Sequence, residues 1–182
     1  MRRRYAVLLS GGIDSSTVAA LLIREDRSAE AIFVDYGQLA ASEERSASQT
    51  IANHYGLPWQ EVVLRGIEYD CDGEMRGRND LLIAVCLAVS DAAQIAIGIH
   101  SGTPYADCSE AHSLAWQRLL DVEYAGARRV FAPLLGMTKG EVVALARSLE
   151  VPMALTRSCE YSGSPCGRCC SCRDRELTLA GA

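Results

Sequence analysis

Short apolar segments alternate along the chain with longer segments whose apolar residues recur at helical spacing. The segments at 5–9, 30–35 and 94–99 are bounded by polar or turn residues, which is typical of strands buried in a parallel sheet. Two further strands are expected at 59–64 and 129–132. Helices are predicted between and after these strands, at 14–23, 42–55, 80–93, 111–124 and 138–149.

This alternation predicts an α/β fold in which a mostly parallel sheet carries helices on both faces. Ligands of such folds bind at the carboxyl ends of the strands. Polar motifs follow three of the predicted strands at that edge, at 10–16, 35–38 and 100–108. A charged loop is predicted at 65–79, and the helix after Thr138 begins with a capping box because Glu141 follows three positions later.

The first motif, Ser10-Gly-Gly-Ile-Asp-Ser-Ser16, lies at the break between the first strand and the first helix. Gly11 and Gly12 have no Cβ, so the backbone can adopt a positive φ and approach a ligand closely. The helix that follows directs free N–H groups at the same point, which predicts a phosphate-binding turn. The lysine of a Walker A loop is absent. The alternative is a tight turn in which Ser10, Ser15 and Ser16 cap backbone groups.

Size and composition indicate one domain with a small appendage. The chain has 182 residues, 49% of them hydrophobic, and a formal net charge of −5. We expect an α/β domain at 1–157 and a cysteine-containing module at 158–182 packed on it. No apolar stretch fits a membrane helix or a secretory signal, so a cytoplasmic location is expected. The negative charge favours a small-molecule partner over nucleic acid.

Four of the eight cysteines are spaced as metal ligands. Cys159, Cys166, Cys169 and Cys172 supply four thiolates in a short segment, which predicts a closed, structural Zn²⁺ site. Cys170 breaks the spacing and is interpreted as a bystander, with replacement of Cys169 as the alternative. A cysteine-rich tail, a redox disulfide and an iron–sulfur cluster are the other interpretations.

Motifs in the same order over nearly the whole chain resemble one family. They are the Ser-Gly-Gly-x-Asp-Ser turn, Tyr36-Gly-Gln38, Gly77-Arg-Asn79, Asp107-Cys108, Met137-Thr-Lys-Gly-Glu141 and Pro165-Cys-Gly-x-Cys-x-Ser-Cys172. The turn resembles the pyrophosphate loop of the N-type ATP pyrophosphatases, and the combination resembles the 7-cyano-7-deazaguanine synthases. The resemblance implies a Rossmann-like fold of the adenine nucleotide alpha hydrolase-like type, with a C-terminal structural zinc module.

The resemblance also implies an activity. Members of that family use ATP to activate the carboxylate of 7-carboxy-7-deazaguanine, let ammonia attack to give an amide, and activate the amide again to form the nitrile. The implied cofactors are ATP, Mg²⁺ and Zn²⁺. The implied partners are a small-molecule acid, ammonia or another amine, and a second copy of the chain in a homodimer.

Roles for individual residues follow from the same resemblance. The pyrophosphate of ATP is expected to contact Ser10, Gly11, Gly12, Ser15 and Ser16. Asp14 is expected to orient this loop or to bind Mg²⁺. Lys139 is the first candidate for neutralising phosphate charge and Arg78 the second, with solvated surface charges as the alternatives. Asp35 is either a nucleotide ligand or a strand-end cap, and Asn79 is a candidate helix cap.

The segment 100–110 departs from the family pattern. The family has an arginine directly after its Asp-Cys pair, whereas this chain has a serine there and gains His100. Arg76 replaces a proline, and the loop before it is short. Because these changes lie on the substrate side, the second hypothesis is a diverged ligase that joins a deazaguanine acid, or a related acid, to another amine, possibly on a protein. His100 is a candidate base for the amine or a structural strand-end histidine.

Two other classes of function stay open at this stage. A tRNA-modifying sulfurtransferase would use Cys108 as a nucleophile, but the chain has few basic residues and no RNA-binding appendage. The alternative for Cys108 is a small buried hydrophobic residue. The last class is a nonenzymatic, zinc-stabilised interaction domain, and the intact Ser-Gly-Gly-x-Asp-Ser turn argues against it.

Overall fold

The computed structural model describes residues 4–67, 75–103 and 105–180, with side chains as far as residue 176, so part of the loop predicted at 65–79 lies outside the described residues. All strand pairs are parallel, and the sheet order is β3-β2-β1-β4-β5. The strands are β1 (Tyr5–Leu8), β2 (Ala29–Asp35), β3 (Trp59–Val63), β4 (Gln94–Ala96) and β5 (Arg129–Phe131). The helices are α1 (Ile13–Arg24), α2 (Ala41–His54), α3 (Arg78–Val89), α4 (Glu110–Tyr124), α5 (Lys139–Ser148) and α6 (Cys170–Ala180). No described helix is both long and apolar enough to cross a membrane.

Helices cover both faces of the sheet, as the sequence predicted. The central strand β1 is buried along its whole length. On one face Val7 packs with Val18 of α1 and Val142 of α5. On the other face Leu8 packs with Ile83 of α3. Both sides of β1 therefore face a hydrophobic core, which explains why its sequence is apolar without alternation.

Some boundaries agree with the sequence-based prediction and others differ from it. The first helix begins at Ile13, directly after the glycine pair, so it carries Asp14, Ser15 and Ser16 as the sequence predicted. The third helix ends at Val89 because Ser90 is extended and its hydroxyl accepts a hydrogen bond from the Ala92 N–H. The sequence analysis did not predict α6, which carries no apolar stripe and begins inside the cysteine cluster.

Gly11 is the tightest point between the sheet and α2. Its φ is +80°, and a Cβ built on it would lie 2.5 Å from the Ser48 backbone nitrogen and 2.7 Å from the Ala47 Cβ. The Ser48 hydroxyl also donates to the Leu9 carbonyl at 2.6 Å. The turn after β1 is thus pressed against α2, and only glycine satisfies both the conformation and the space.

The C-terminal segment docks onto the same turn. The Arg157 N–H donates to the Gly11 carbonyl at 2.8 Å. The Gly163 N–H donates to the Glu43 carboxylate of α2 at 2.6 Å. Arg175 of α6 then ties its own helix to the chain before the cysteines, through Thr156 Oγ1, Ser158 Oγ and the Met153 carbonyl. The module packs on the α/β domain, and the division at 157 and 158 stays a prediction.

Gly11→Ala should destabilise the protein more than Gly126→Ala. Gly126 also has a positive φ, of +76°, but nothing lies within 4 Å of a Cβ built there. In the control, the free energy of unfolding should therefore fall only by the cost of the left-handed conformation, about 1 kcal/mol. Gly11→Ala should lose roughly 1–3 kcal/mol more because the new methyl group overpacks against α2. Urea unfolding of both variants measures the difference, and equal losses would refute the close-packing argument.

Candidate active site

The turn at 10–12 leaves the first turn of α1 open to a ligand. The N-terminus of α1 has Gly12 as its N-cap, without a side-chain cap hydrogen bond. Ser10 Oγ and Ser15 Oγ lie 3.2 Å apart, and Ser15 Oγ also donates to the Gly12 carbonyl at 3.2 Å. Ser16 is fully buried, and its hydroxyl has no hydrogen-bond partner among the described residues. Uncapped N–H groups beside hydroxyls form a suitable environment for phosphate.

Asp14 and Lys139 form a tight ion pair beside this turn. Lys139 Nζ lies 2.6 Å from Asp14 Oδ1 and 2.8 Å from Oδ2, and both side chains keep about a quarter of their surface exposed. The pair joins the first residues of α5 to the first turn of α1. The structure thus brings together two residues that are 125 positions apart in the sequence.

Lys139 occupies a position in its helix that disfavours a positive charge. It is the first residue of α5, where the positive end of the helix dipole disfavours a cation. It is also the only lysine in the sequence, in which the other 17 of the 18 Lys and Arg residues are arginines. An uncharged residue would suit this helix position better, so the ion pair with Asp14, and not the helix, accounts for the ammonium group.

A capping box holds the start of α5 in place, as the sequence predicted. Thr138 Oγ1 accepts from the Glu141 N–H at 3.3 Å, and Glu141 Oε2 accepts from the Thr138 N–H at 2.8 Å. The Thr138 N–H and the Thr138 hydroxyl both donate to the Glu141 carboxylate, and these two hydrogen bonds lower the pKa of Glu141. The cap fixes the backbone from which Lys139 reaches Asp14.

His100 lies on the other side of Asp14. It is 5% exposed, its Nδ1 accepts from the Gly102 N–H at 3.2 Å, and its Nε2 lies 3.7 Å from Asp14 Oδ2. Burial lowers the pKa of His100 and outweighs the opposing effect of Asp14, while the Lys139 charge lowers it further. The imidazole is therefore neutral at pH 7.

Asp35, at the end of β2, makes a hydrogen bond and an ion pair with other residues of the chain. Its Oδ1 accepts from the Gly37 N–H at 2.9 Å, and its Oδ2 pairs with Arg45 at 2.7 Å. Arg45 in turn pairs with Glu61 of β3. This geometry is that of the strand-end cap, and a contact of Asp35 with nucleotide stays a prediction.

Arg78 belongs to a second charged group, on the side of α2 and α3. The side chain of Tyr36 hydrogen bonds to Arg78, and the charges of Asp107 and Glu44 act on it. Burial raises the pKa of Glu44, although the Gln38 side chain donates to its Oε2 at 2.9 Å. Sequence analysis missed Glu44, because nothing in a polar stretch of α2 distinguishes this glutamate from its neighbours.

Residues of the segment 100–110, which departs from the family pattern, hydrogen bond to the first turn of α3. Gly77 precedes the helix with a φ of +69°, so the expectation that Asn79 caps it is wrong. Asn79 lies inside the first turn instead, where its N–H donates to Asp107 Oδ2 at 3.1 Å and its side-chain amide to Cys108 Sγ at 3.5 Å. Burial raises the pKa of the Cys108 thiol, which disfavours a thiolate nucleophile.

The four predicted cysteines form one cluster. The Sγ atoms of Cys159, Cys166, Cys169 and Cys172 all lie within 4.8 Å of one another, while Cys170 is exposed outside the cluster. Four thiolates around Zn²⁺, each about 2.3 Å from the ion, lie at comparable separations, so the donor set fits this metal.

Backbone N–H groups support the sulfurs of this cluster. The Arg168 and Cys169 N–H groups donate to Cys166 Sγ at 3.5 and 3.3 Å, and they lower the pKa of Cys166 to about 6. The Cys166 N–H donates to Cys159 Sγ at 3.4 Å. Such donors stabilise thiolates, the form in which cysteine binds a metal.

The five-stranded parallel sheet with its covering helices has an adenine nucleotide alpha hydrolase-like fold. The structure is similar to a predicted subunit of tRNA methyltransferase from Methanocaldococcus jannaschii, with a TM-score of 0.56 at 16% identity over 80% of this chain and 74% of that one. It is also similar to the NH3-dependent NAD synthetase of Campylobacter jejuni, with a TM-score of 0.53 at 18% identity over 85% of this chain and 66% of that one. At these identities the likeness concerns the fold alone.

The sequence comparisons identify the family. Residues 74–182 match the model of the family described as queuosine biosynthesis protein QueC, and residues 1–69 match the model of the asparagine synthase family. The 7-cyano-7-deazaguanine synthase of Prochlorococcus marinus (strain MIT 9215) is 32% identical over 207 aligned positions, covering 95% of this chain and 92% of the relative. The chain therefore belongs to the QueC family, which confirms the resemblance seen in its motifs.

Metal content should depend on Cys166 but not on Cys170. Cys166→Ser removes one donor of the cluster, so we expect loss of most of the bound zinc and a Tm lower by several degrees, because metal binding contributes to folding. Cys170→Ser, the adjacent control, should retain about one zinc per chain as a closed four-sulfur site does. Elemental analysis and thermal unfolding measure both. Equal zinc loss in the two variants would contradict the ligand assignment.

Proposed function

We propose that this protein is an ATP-dependent ligase that converts 7-carboxy-7-deazaguanine and ammonia into 7-cyano-7-deazaguanine. The observation that carries the proposal is the Lys139–Asp14 ion pair at the uncapped start of α1, beside the Ser-Gly-Gly turn. Membership of the QueC family and the name of the Prochlorococcus relative supply the substrate. The homodimer belongs to the same proposal and rests on the family resemblance, and the cytoplasmic location belongs to it as an expectation from the sequence.

The proposed reaction uses ATP twice, because neither the carboxylate nor the amide has a good leaving group until its oxygen is adenylated. The acid carboxylate attacks the α-phosphorus of ATP and releases pyrophosphate, so that AMP becomes the leaving group at the acyl carbon. Ammonia displaces AMP and loses a proton to give the amide. The amide oxygen attacks a second ATP and releases pyrophosphate, and loss of AMP and the remaining N–H protons gives the nitrile.

Lys139 and the turn are assigned to the phosphates of Mg-ATP. The N–H groups of α1 and the hydroxyls of Ser10, Ser15 and Ser16 surround the proposed pyrophosphate position. Lys139, released from Asp14, would neutralise the charge that grows on the departing pyrophosphate. Asp14 then acts mainly by holding the ammonium in place before ATP binds.

Arg78 is assigned to the acid substrate rather than to the phosphates. Its neighbours are Tyr36, Glu44 and Asp107, which lie after β2, in α2 and in the altered segment. A guanidinium suits a carboxylate because it can donate two parallel hydrogen bonds. The contacts of Arg78 therefore favour the acceptor side of the site.

A diverged ligase is the second candidate, and the segment around His100 favours it. The alignment with the Prochlorococcus relative spans 207 positions although it covers only 95% of this 182-residue chain, so the relative carries insertions in the matched region. We assign part of this difference to the short loop before Arg76, on the acceptor side of the site, where missing residues would leave room for a larger amine. The reaction would then stop at an amide formed with a larger amine.

Mass spectrometry of the reaction products tests the proposal. Zinc-loaded protein is incubated with Mg-ATP, 7-carboxy-7-deazaguanine and ammonium, with parallel reactions that offer methylamine or a peptide amine. We expect the nitrile, with AMP and pyrophosphate released in two equivalents per product. Amides of the larger amines without nitrile would support the diverged ligase, and no ATP-dependent product with this acid would refute the proposed substrate.

Lys139→Met should lower kcat/KM by roughly 10²- to 10³-fold, the usual loss when one group that stabilises transition-state charge is removed. Lys139→Arg should recover part of the activity, because it keeps the charge but not the shape of the ammonium. Arg147→Met is the matched control, since it removes an exposed cation from the last turn of the same helix. Pyrophosphate release provides the assay.

The single lysine also gives a direct binding measurement. Because Lys139 is the only lysine in the sequence, its ¹⁵Nζ resonance in lysine-labelled protein is the only side-chain signal of its kind. Mg-ATP should shift this signal as the ammonium moves from carboxylate to phosphate. An unchanged signal in nucleotide-saturated protein would show that Lys139 stays with Asp14, against its proposed role.

A further inference from the structure

We propose that His100 is a positioning residue that takes over the Asp14 carboxylate when Lys139 turns to the phosphates of ATP. The proposal rests on the proposed function for the identity of that anion, and on the geometry around His100 for everything else. His100 lies in the segment 100–110, whose departure from the family pattern was expected to affect the acid substrate. The proposal instead gives His100 a role in the binding of the nucleotide. It also replaces the expectation that His100 is a base for the incoming amine.

The hydrogen bond at Nδ1 decides which nitrogen carries the proton. The Gly102 N–H donates to Nδ1 at 3.2 Å, so Nδ1 is unprotonated and the neutral ring carries its proton on Nε2. Gly102 packs closely against the ring, since a Cβ built on it would lie 3.0 Å from Nδ1. The two ring nitrogens therefore have fixed and different roles.

The protonated nitrogen is directed towards Asp14. Nε2 lies 3.7 Å from Asp14 Oδ2, which is longer than a hydrogen bond, because both Asp14 oxygens are turned to Lys139. A small rotation of the carboxylate, once the ammonium leaves, brings Oδ2 within reach of the Nε2–H. The imidazole is 5% exposed, so its position is set by packing before ATP binds.

The surrounding charges keep the ring a neutral donor. Burial disfavours the imidazolium, and Lys139 disfavours it further, while Asp14 and Asp174 of α6 favour it. The net effect lowers the pKa of His100. Since Nδ1 already accepts a hydrogen bond and Nε2 carries the proton, no nitrogen has a free lone pair with which to take a proton from an amine.

A replacement partner is needed in the role in which Asp14 orients the turn and is not a Mg²⁺ ligand, because its carboxylate would otherwise face the phosphates alone. Its carboxylate lies in the first turn of α1, next to the proposed pyrophosphate position. After Lys139 leaves, the like charges of carboxylate and phosphate repel each other. A hydrogen bond from the Nε2–H stabilises the carboxylate and lets Lys139 move without disturbing the turn.

Three substitutions separate this role from structural support. His100→Gln places an amide N–H close to the position of Nε2, whereas His100→Asn places its carbonyl oxygen near Nδ1 and has no donor that reaches Asp14. His100→Ala loses both groups. We expect His100→Gln to retain kcat within about 3-fold of the parent chain, and His100→Asn and His100→Ala to lose roughly 10- to 100-fold, the effect of one hydrogen bond to a charged group.

The tautomer and nucleotide binding give readouts that are independent of the acid substrate. The chain has three histidines, so ¹⁵N-histidine spectra with the variants as assignment standards should show His100 as the Nε2–H tautomer. Titration calorimetry with Mg-ATP should show weaker binding for His100→Asn than for His100→Gln. Urea unfolding verifies that each compared variant is folded, and the Gln and Asn pair decides the result if the alanine variant is not.

The outcomes distinguish this proposal from the proposed function. If the parent chain binds Mg-ATP and the Gln variant is as impaired as the Asn variant, or the tautomer is Nδ1–H, the role of His100 is refuted and ATP use stands. If the chain binds ATP and the Gln variant is rescued while no nitrile forms, His100 is supported and only the substrate assignment falls. A folded, zinc-loaded chain that binds no nucleotide refutes both.

Discussion

The close contact between Gly11 and α2 is the constraint on which the rest of the structure depends. The turn that ends β1 leaves no space for a side chain, and its carbonyl accepts the N–H of Arg157. One residue thus joins the central strand, the start of α1, the side of α2 and the segment that leads into the cysteine cluster. The open N-terminus of α1 lies at the ligand edge of the sheet because of this junction.

The electrostatics at that junction depend on the carboxylate of Asp14, which is the ion-pair partner of Lys139. Asp14 occupies a favourable position in the first turn of α1, whereas Lys139 occupies an unfavourable one in the first turn of α5. Their ion pair compensates for the second placement only while no anion is bound. Under the proposed function, a phosphate at the turn would offer Lys139 a second partner, and the site would then have two arrangements that differ by the movement of one ammonium group.

The features that the sequence predicted correctly depend on residues that are neighbours in the chain. The turn at Gly11, the capping box at Thr138 and the cysteine spacing are local patterns, whose backbone geometry follows from a few adjacent residues. The pairing of Asp35 with Arg45 and the burial of Glu44 depend on how α2 lies along the sheet. No local pattern carries that information, which is why Asp35 was left with two interpretations and Glu44 was missed.

The cysteine cluster is connected to the turn at Gly11 through hydrogen bonds made by the segments on either side of its first cysteine. Arg175 fastens α6 to the segment before Cys159, and Arg157 in that segment hydrogen bonds to Gly11. The Gly163 N–H adds a second connection, to Glu43 of α2, on the helix against which Gly11 is packed. A metal bound by the four cysteines would therefore hold in place both segments that contact the turn.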